Sequence, residues 1–443
     1  MKNKIKKIAL SPWTALATLA LVLVVRVADP AFVESVRLKY FDTLITSKAP
    51  TQNNIYTVNI DEAALDKYGQ WPLPRDEYAK IIQNLYQRNA GLVVLNVLMA
   101  EPDRTGGDAV LANALKQYPV ILPSVPSEKT KNPPKVPGSA IIGSEHLGQV
   151  IQYPGLIANI RPLEASAIGV GIVSTLPEVD GVNRRLPLVI AVEDKLYPSL
   201  SMETLRVAAA DSTVQIKVNE SGVEKMRIPK FGPITTDSLS RIWIDWSLVP
   251  DHYSLTDLPK DFEGEIVIVG VSAQGLANPV ATAKGEMLPQ DLQASVLGTV
   301  IANKDRPVIS RPDWATGSEL LFIIALSVLS LVFITRFTHG YALAIVLGLA
   351  TYWTSRELFS RYAYLIDIVY PLLTLLIVSL HGYVVKFLTE LRQKLQIKKQ
   401  FGTYLSPALV EKLQRHPELL KLGGETKRLT FMFSDIRGFT PIS

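Results

Sequence analysis

Asp435 is the side chain most clearly placed to do chemistry. It closes the run Arg428-Leu-Thr-Phe-Met-Phe-Ser-Asp435, in which Leu429, Phe431 and Phe433 alternate with Thr430, Met432 and Ser434. A period of two is the pattern of a half-buried strand, and Gly438 just beyond permits a tight turn. A carboxylate at a rigid strand end suits a hard divalent cation such as Mg2+ or Mn2+, which prefers oxygen ligands. The competing reading is an ordinary turn aspartate. Four more residues, Asp42, Asp61, Arg75 and Arg185, lie near strand ends or turns, where ligand sites of open α/β sheets gather. Each is a candidate ligand contact, or else a cap or ion pair that holds a loop.

Several other chemistries are excluded. The histidines at 146, 252, 339, 381 and 416 are scattered, with no pair at metal-ligand spacing. There is no phosphate loop, and Gly169-Val-Gly171 lacks the third glycine of a dinucleotide site. With no cysteine in the chain, disulfides and thiolate metal sites are ruled out. The net charge of +5 is concentrated at Lys2, Lys4, Lys6 and Lys7 and at Lys386, Arg392, Lys394, Lys398 and Lys399, beside apolar runs. That arrangement orients a membrane protein; it is not the basic stripe that nucleic acid requires, and no nucleic-acid partner is expected.

The elements that position these residues start at the membrane. Hydrophobic residues make up 48% of the 443 and charged residues only 20%, which leans away from a purely soluble protein. Apolar runs predict four transmembrane helices, at 8–28, 315–335, 341–358 and 364–385. A cleaved signal peptide fits the first run less well, because the run is long and lacks a small-residue cleavage site. Four spans place residues 1–7 and the C-terminus on one side, and the flanking lysines make that side the cytoplasm of a bacterial inner membrane. Arg356 and Arg361 fall outside, against that rule. Asp367 sits near a helix end and is expected to reach headgroups, an intramembrane carboxylate being the alternative.

Residues 29–314 are too many for a loop and predict an extracytoplasmic α/β domain. Asn54–Asp61, Gly91–Leu98 and Glu265–Gly270 read as strands, and Arg75–Gln87 has helical spacing through Tyr78, Ile81, Ile82 and Leu85. Near-continuous apolar strands alternating with helices predict a largely parallel sheet covered on both faces. After the last span, residues 386–424 predict a signalling helix and linker. Val384, Leu388, Leu391 and Leu395 recur on one face, either as a coiled-coil seam or as a helix lying on anionic lipid.

Two resemblances add to this reading. Phe41-Asp42, Asn59-Ile-Asp61, Gly69-Gln-Trp-Pro72, Pro74-Arg75, Asp180-Gly-Val-Asn-Arg-Arg185, Tyr197-Pro-Ser-Leu200 and Val269-Gly-Val-Ser-Ala273 together resemble the second subfamily of CHASE extracellular sensor domains. The resemblance implies an environmental sensor of unspecified ligand. Asn96 stands where that family often carries Asp, and Asp291-Leu-Gln293 replaces a usual Glu-Ile-His. The ordered run Tyr404-Leu-Ser-Pro407, Gly423-Gly-Glu425 and Phe433-Ser-Asp-Ile-Arg-Gly-Phe-Thr440 resembles the linker and first strand of receptor-type class III nucleotidyl cyclases.

The second resemblance implies that residues 425–443 begin an α+β, ferredoxin-like cyclase domain. It also implies an ATP substrate converted to cyclic AMP and pyrophosphate, with GTP as the alternative substrate, and a homodimer with a shared active site. Two divalent ions, Mg2+ or Mn2+, would be held by the Asp435 carboxylate and the Ile436 backbone carbonyl. There they would activate the ribose hydroxyl and neutralise phosphate charge. The family's second metal-binding Asp and its Asn/Arg pair would follow Ser443, so the 443-residue polypeptide is expected to be inactive. A non-enzymatic membrane sensor or regulator that acts through partner contacts is the alternative.

Overall fold

A computed structural model of the chain describes residues 11–134, 138–143, 150–193, 195–337, 339–402, 428 and 430–433. Asp435 and Ile436 lie outside the described residues, as do the first three residues of the span expected at 8–28.

The chain enters through helix α1 (Ala15–Ala28) and turns sharply into α2 (Ala31–Ile45). Two adjacent residues make the bend. Asp29 takes a left-handed backbone with φ 41, and Pro30 supplies no N–H to continue a helix. The two helices are bent by 78°. Residues directly after the first expected span are therefore helical, where the sequence pointed only to the start of a globular domain.

A parallel sheet follows. Strands β1 (Thr51–Ile60), β2 (Leu92–Leu95), β3 (Val120–Ser127), β4 (Gly155–Ile157), β5 (Gly169–Ile172), β6 (Leu248–Ser254) and β7 (Ile266–Val271) form it. Their order is β6-β1-β7-β2-β3, with β3 pairing β5 in parallel and β4 antiparallel. The three strands expected from sequence are neighbours: Val58 pairs Val269, and Val269 pairs Leu95. Helix α3 (Glu62–Tyr68) leads to α4, which spans Arg75–Gln87 as its spacing predicts, and α5 (Asp108–Gln117) connects β2 to β3.

Alternation along the strands explains why both faces are apolar. Val93, Leu95, Val267 and Val269 face Tyr78, Ile82 and Leu85 of α4. Val94, Ile121 and Ile268 belong to a second cluster on the other face. There they meet α6 (Leu200–Ala208) and α7 (Pro289–Ala302) through Leu205, Leu292, Val296 and Leu297. Burying each such side chain contributes about 1.5–3 kcal/mol, so the sheet is where the domain's stability resides. One addition went unread in the sequence. Residues 213–219, 222–228 and 232–234 form an antiparallel meander, with residues 138–143 parallel to its first strand.

Helices α8 (Ala315–Arg336), α9 (Tyr341–Tyr362) and α10 (Val369–Gly402) follow the sensor domain. Of these, α8 and residues 369–396 of α10 are long and apolar enough to cross a membrane, and the bent α1–α2 pair makes a third if it counts as one span. This differs from the four expected spans. The second half of α9 carries Arg356, Glu357 and Arg361, which dilute its apolar first half. Helix α9 also runs a turn past the expected 341–358, and α10 starts at Val369 rather than 364. Beyond residue 385, α10 continues through the seam residues Leu388, Leu391 and Leu395, all exposed in the single chain. Phe431, Met432 and Phe433 are exposed as well.

Candidate functional site

The structure does not gather the four sequence candidates into one pocket. Asp61 is the N-cap of α3, its Oδ1 accepting from the Ala64 N–H at 2.9 Å. Arg75 is buried at the start of α4. It donates to the Glu101 carbonyl at 3.3 Å and pairs with Asp108 at 3.6 Å, pinning the 101–108 loop. Arg185 forms a two-pronged pair with Glu178, 2.7 Å on each arm, and lies over the Trp243 ring at 4.8 Å. These three side chains are engaged as a cap and as ion pairs within the sensor domain.

Asp42 has a different role. It points from α2 into the sensor domain and meets Arg184, which is fully buried. Arg184 Nε and Nη2 donate to the two Asp42 oxygens at 2.6 and 2.7 Å, and Nη1 and Nη2 donate to the two Asp180 oxygens at 2.7 Å each. Burial opposes the guanidinium charge, but the bonds from Asp180 and Asp42 outweigh it and hold the Arg184 pKa above its ordinary value. The Arg184 bond in turn holds the Asp180 carboxyl below its usual range. Arg184, not its neighbour Arg185, is the arginine that meets Asp42. Leu186, Pro187, Leu188 and Val189 are all buried, so alternation along this stretch does not separate Arg184 from Arg185.

The other end of α2 enters a second ionic cluster, where the membrane helices begin. Arg37 donates to both Asp29 oxygens at 3.2 and 3.0 Å and pairs with Glu34 at 3.5 Å. Glu319 of α8 accepts from Arg26 of α1 at 3.2 Å and from Arg311 at 2.8 Å through one oxygen. Its other oxygen accepts from the Asp367 backbone N–H at 2.9 Å. Asp367 leads into α10, and its Oδ2 stands 3.9 Å from Arg37 Nη1. Tyr370 donates to Asp29 at 3.3 Å, and Arg26 lies 4.7 Å from the centre of its ring.

This corrects the reading of Asp367: at 1% exposure it is packed inside the protein and does not reach headgroups. Three guanidiniums here face four carboxylates. Arg26 Nε and Asp367 Oδ2 have no hydrogen-bond partner. Helix α2 is thus tied to the sensor domain through Asp42 and to Asp29 and Asp367 through Arg37, while Arg26 of α1 and Arg311 hold Glu319 of α8.

A family model described as the CHASE2 domain matches residues 17–332, more than half of the chain. The chain belongs to the CHASE2 domain family. CHASE2 is an extracytoplasmic sensor domain, and two apolar helices long enough to cross a membrane fit a receptor built on it. No curated protein and no solved structure matches the chain. The match takes in the Asp42–Arg184–Asp180 clamp and stops within α8, so that Asp367 and Tyr370 of the second cluster lie outside it. Among the described residues no group of three or more His, Asp or Glu side chains is arranged to hold a metal ion.

Proposed function

We propose that this chain is the sensor and membrane part of a bacterial inner-membrane receptor whose output is a class III nucleotidyl cyclase. In this reading four helices cross the bilayer, the CHASE2 domain lies outside and both termini are cytoplasmic. The observation that carries the enzymatic half is the ordered run Tyr404–Pro407, Gly423–Glu425 and Phe433–Thr440, which follows α10 along the chain. The Asp435 carboxylate and the Ile436 carbonyl would hold Mg2+ or Mn2+, whose charge favours attack of the ribose 3′-oxygen on the α-phosphate of ATP.

The ionic clamps supply the route for a signal. A change in the CHASE2 domain that moves Asp42 also moves Arg37 on the same helix, and Arg37 faces the carboxylate that precedes α10. Helix α10 continues from there toward the cyclase residues, and a homodimer would pair its apolar seam. The test uses a version of the chain that carries a complete catalytic domain. Asp435→Ala should abolish cyclic AMP formation while membrane insertion is unchanged; retained activity would remove the metal role.

A further inference from the structure

A cavity of about 280 Å3 lies past the carboxyl ends of β2 and β7 and beside β3, and none of its lining residues belongs to either ionic clamp. Ligands of open parallel sheets bind in this place, because the strand ends leave a crevice there. Trp71, Val125, Val271 and Leu276 supply apolar walls, and Asn96 and Gln290 supply amides. No charged side chain lines it among the described residues.

Gln290 is the feature that marks it as built for a ligand. The residue is 1% exposed. Its Nε2 donates to Asn59 Oδ1 at 2.7 Å and to the Val271 carbonyl at 3.3 Å, which fixes the orientation of the amide. The acceptor Oε1 is left with no hydrogen-bond partner among the described residues. Gly270 makes room for this side chain, since a Cβ there would come within 2.5 Å of the Gln290 amide. The Asn96 amide, at the end of β2, is unengaged as well. An acceptor at the cavity wall with no protein partner can take a donor from whatever enters.

We propose that this cavity is the sensor's ligand site, and that it takes a small uncharged molecule with an apolar ring or branched body and a hydrogen-bond donor directed at Gln290. The proposal rests on the CHASE2 sensor assignment but not on the cyclase output. An anionic ligand is disfavoured because no cation lines the cavity to replace its hydration. Asn96, where the resembling sensors often carry Asp, is what keeps that wall neutral.

The probe is indole, an uncharged ring with one N–H donor, titrated into the intact chain in lipid nanodiscs and followed by saturation-transfer NMR. Benzoate serves as the anion of similar size. Indole should bind saturably at one site, with benzoate weaker by at least about tenfold. Val125→Trp, which fills the cavity from the sheet, should remove binding. Ala277→Trp, on the loop side where the fold is less at risk, should do the same. Absence of saturable indole binding, equal binding of benzoate, or binding unchanged in the Ala277→Trp variant would overturn the proposal. A failed cyclase assay would bear only on the output, so the two readings fail separately.

Discussion

The two ionic clamps on α2 use the same residue types to opposite effect. At the sensor end Arg184 spends its donors on four short bonds to two carboxylates, and none of the three side chains leaves an oxygen or nitrogen orphaned. At the membrane end the contacts run from 2.8 to 3.9 Å, and Arg26 Nε and Asp367 Oδ2 are unmatched. A saturated buried pair has one good arrangement; an unsaturated one has several of similar energy. The contrast therefore makes the sensor end a fixed anchor and the membrane end the place where a rearrangement is cheap.

The largest expected effect comes from breaking the anchor. Arg184→Leu leaves Asp42 and Asp180 facing each other with no counter-charge, and thermal unfolding of the purified chain should show a loss of about 3–5 kcal/mol. A loss below about 1 kcal/mol, the range of surface pairs, would mean the anchor is not a closed buried unit. Asp367→Asn at the other end should cost little, within about 1 kcal/mol of neutral and on the stabilising side, because it removes the surplus charge and an unpaired oxygen. A loss as large as that of Arg184→Leu would erase the distinction between the clamps.

The smallest effect is a pH dependence away from both. His252 on β6 bonds Thr57 at 2.9 Å and faces Asp291 of α7 at 3.3 Å. The Asp291 carboxylate beside it raises its pKa above the ordinary 6.5 against the opposing effect of burial. A raised folded value means the pair stabilises the domain fully below the unfolded pKa, and that increment is lost as pH rises through the folded one. Unfolding followed across that window should show the decline, and Asp291→Asn should flatten it.

The sheet was legible in the sequence because its signals are local. Continuous apolar strands and the spacing of Tyr78, Ile81, Ile82 and Leu85 mark both-face burial within a few residues. The clamps were not, because their partners are distant. Asp42 meets a residue 142 positions away, and Glu319 one 293 positions away. Nothing in a window around Glu319 shows that two arginines will reach it. Arg184 and Arg185 are adjacent and alike, and buried residues of both parities follow them, so nothing local separates the inward one from its neighbour. The bend at Asp29-Pro30 had its proline in plain view, but that a second helix would follow depends on distant partners, the buried sensor-core residues around Phe41 and Ser355 of α9, which bonds Tyr40.

The transmission claim is tested most directly by hydrogen–deuterium exchange on the intact chain in nanodiscs, comparing the native protein with Asp42→Asn. Loosening the sensor-end anchor should speed exchange of amides 363–372, at the start of α10, by at least about fivefold, the low end of ordinary coupling. Amides of β1 and β7 should keep their protection. Unchanged exchange at 363–372 would contradict the account, and so would an equal rise throughout the sheet.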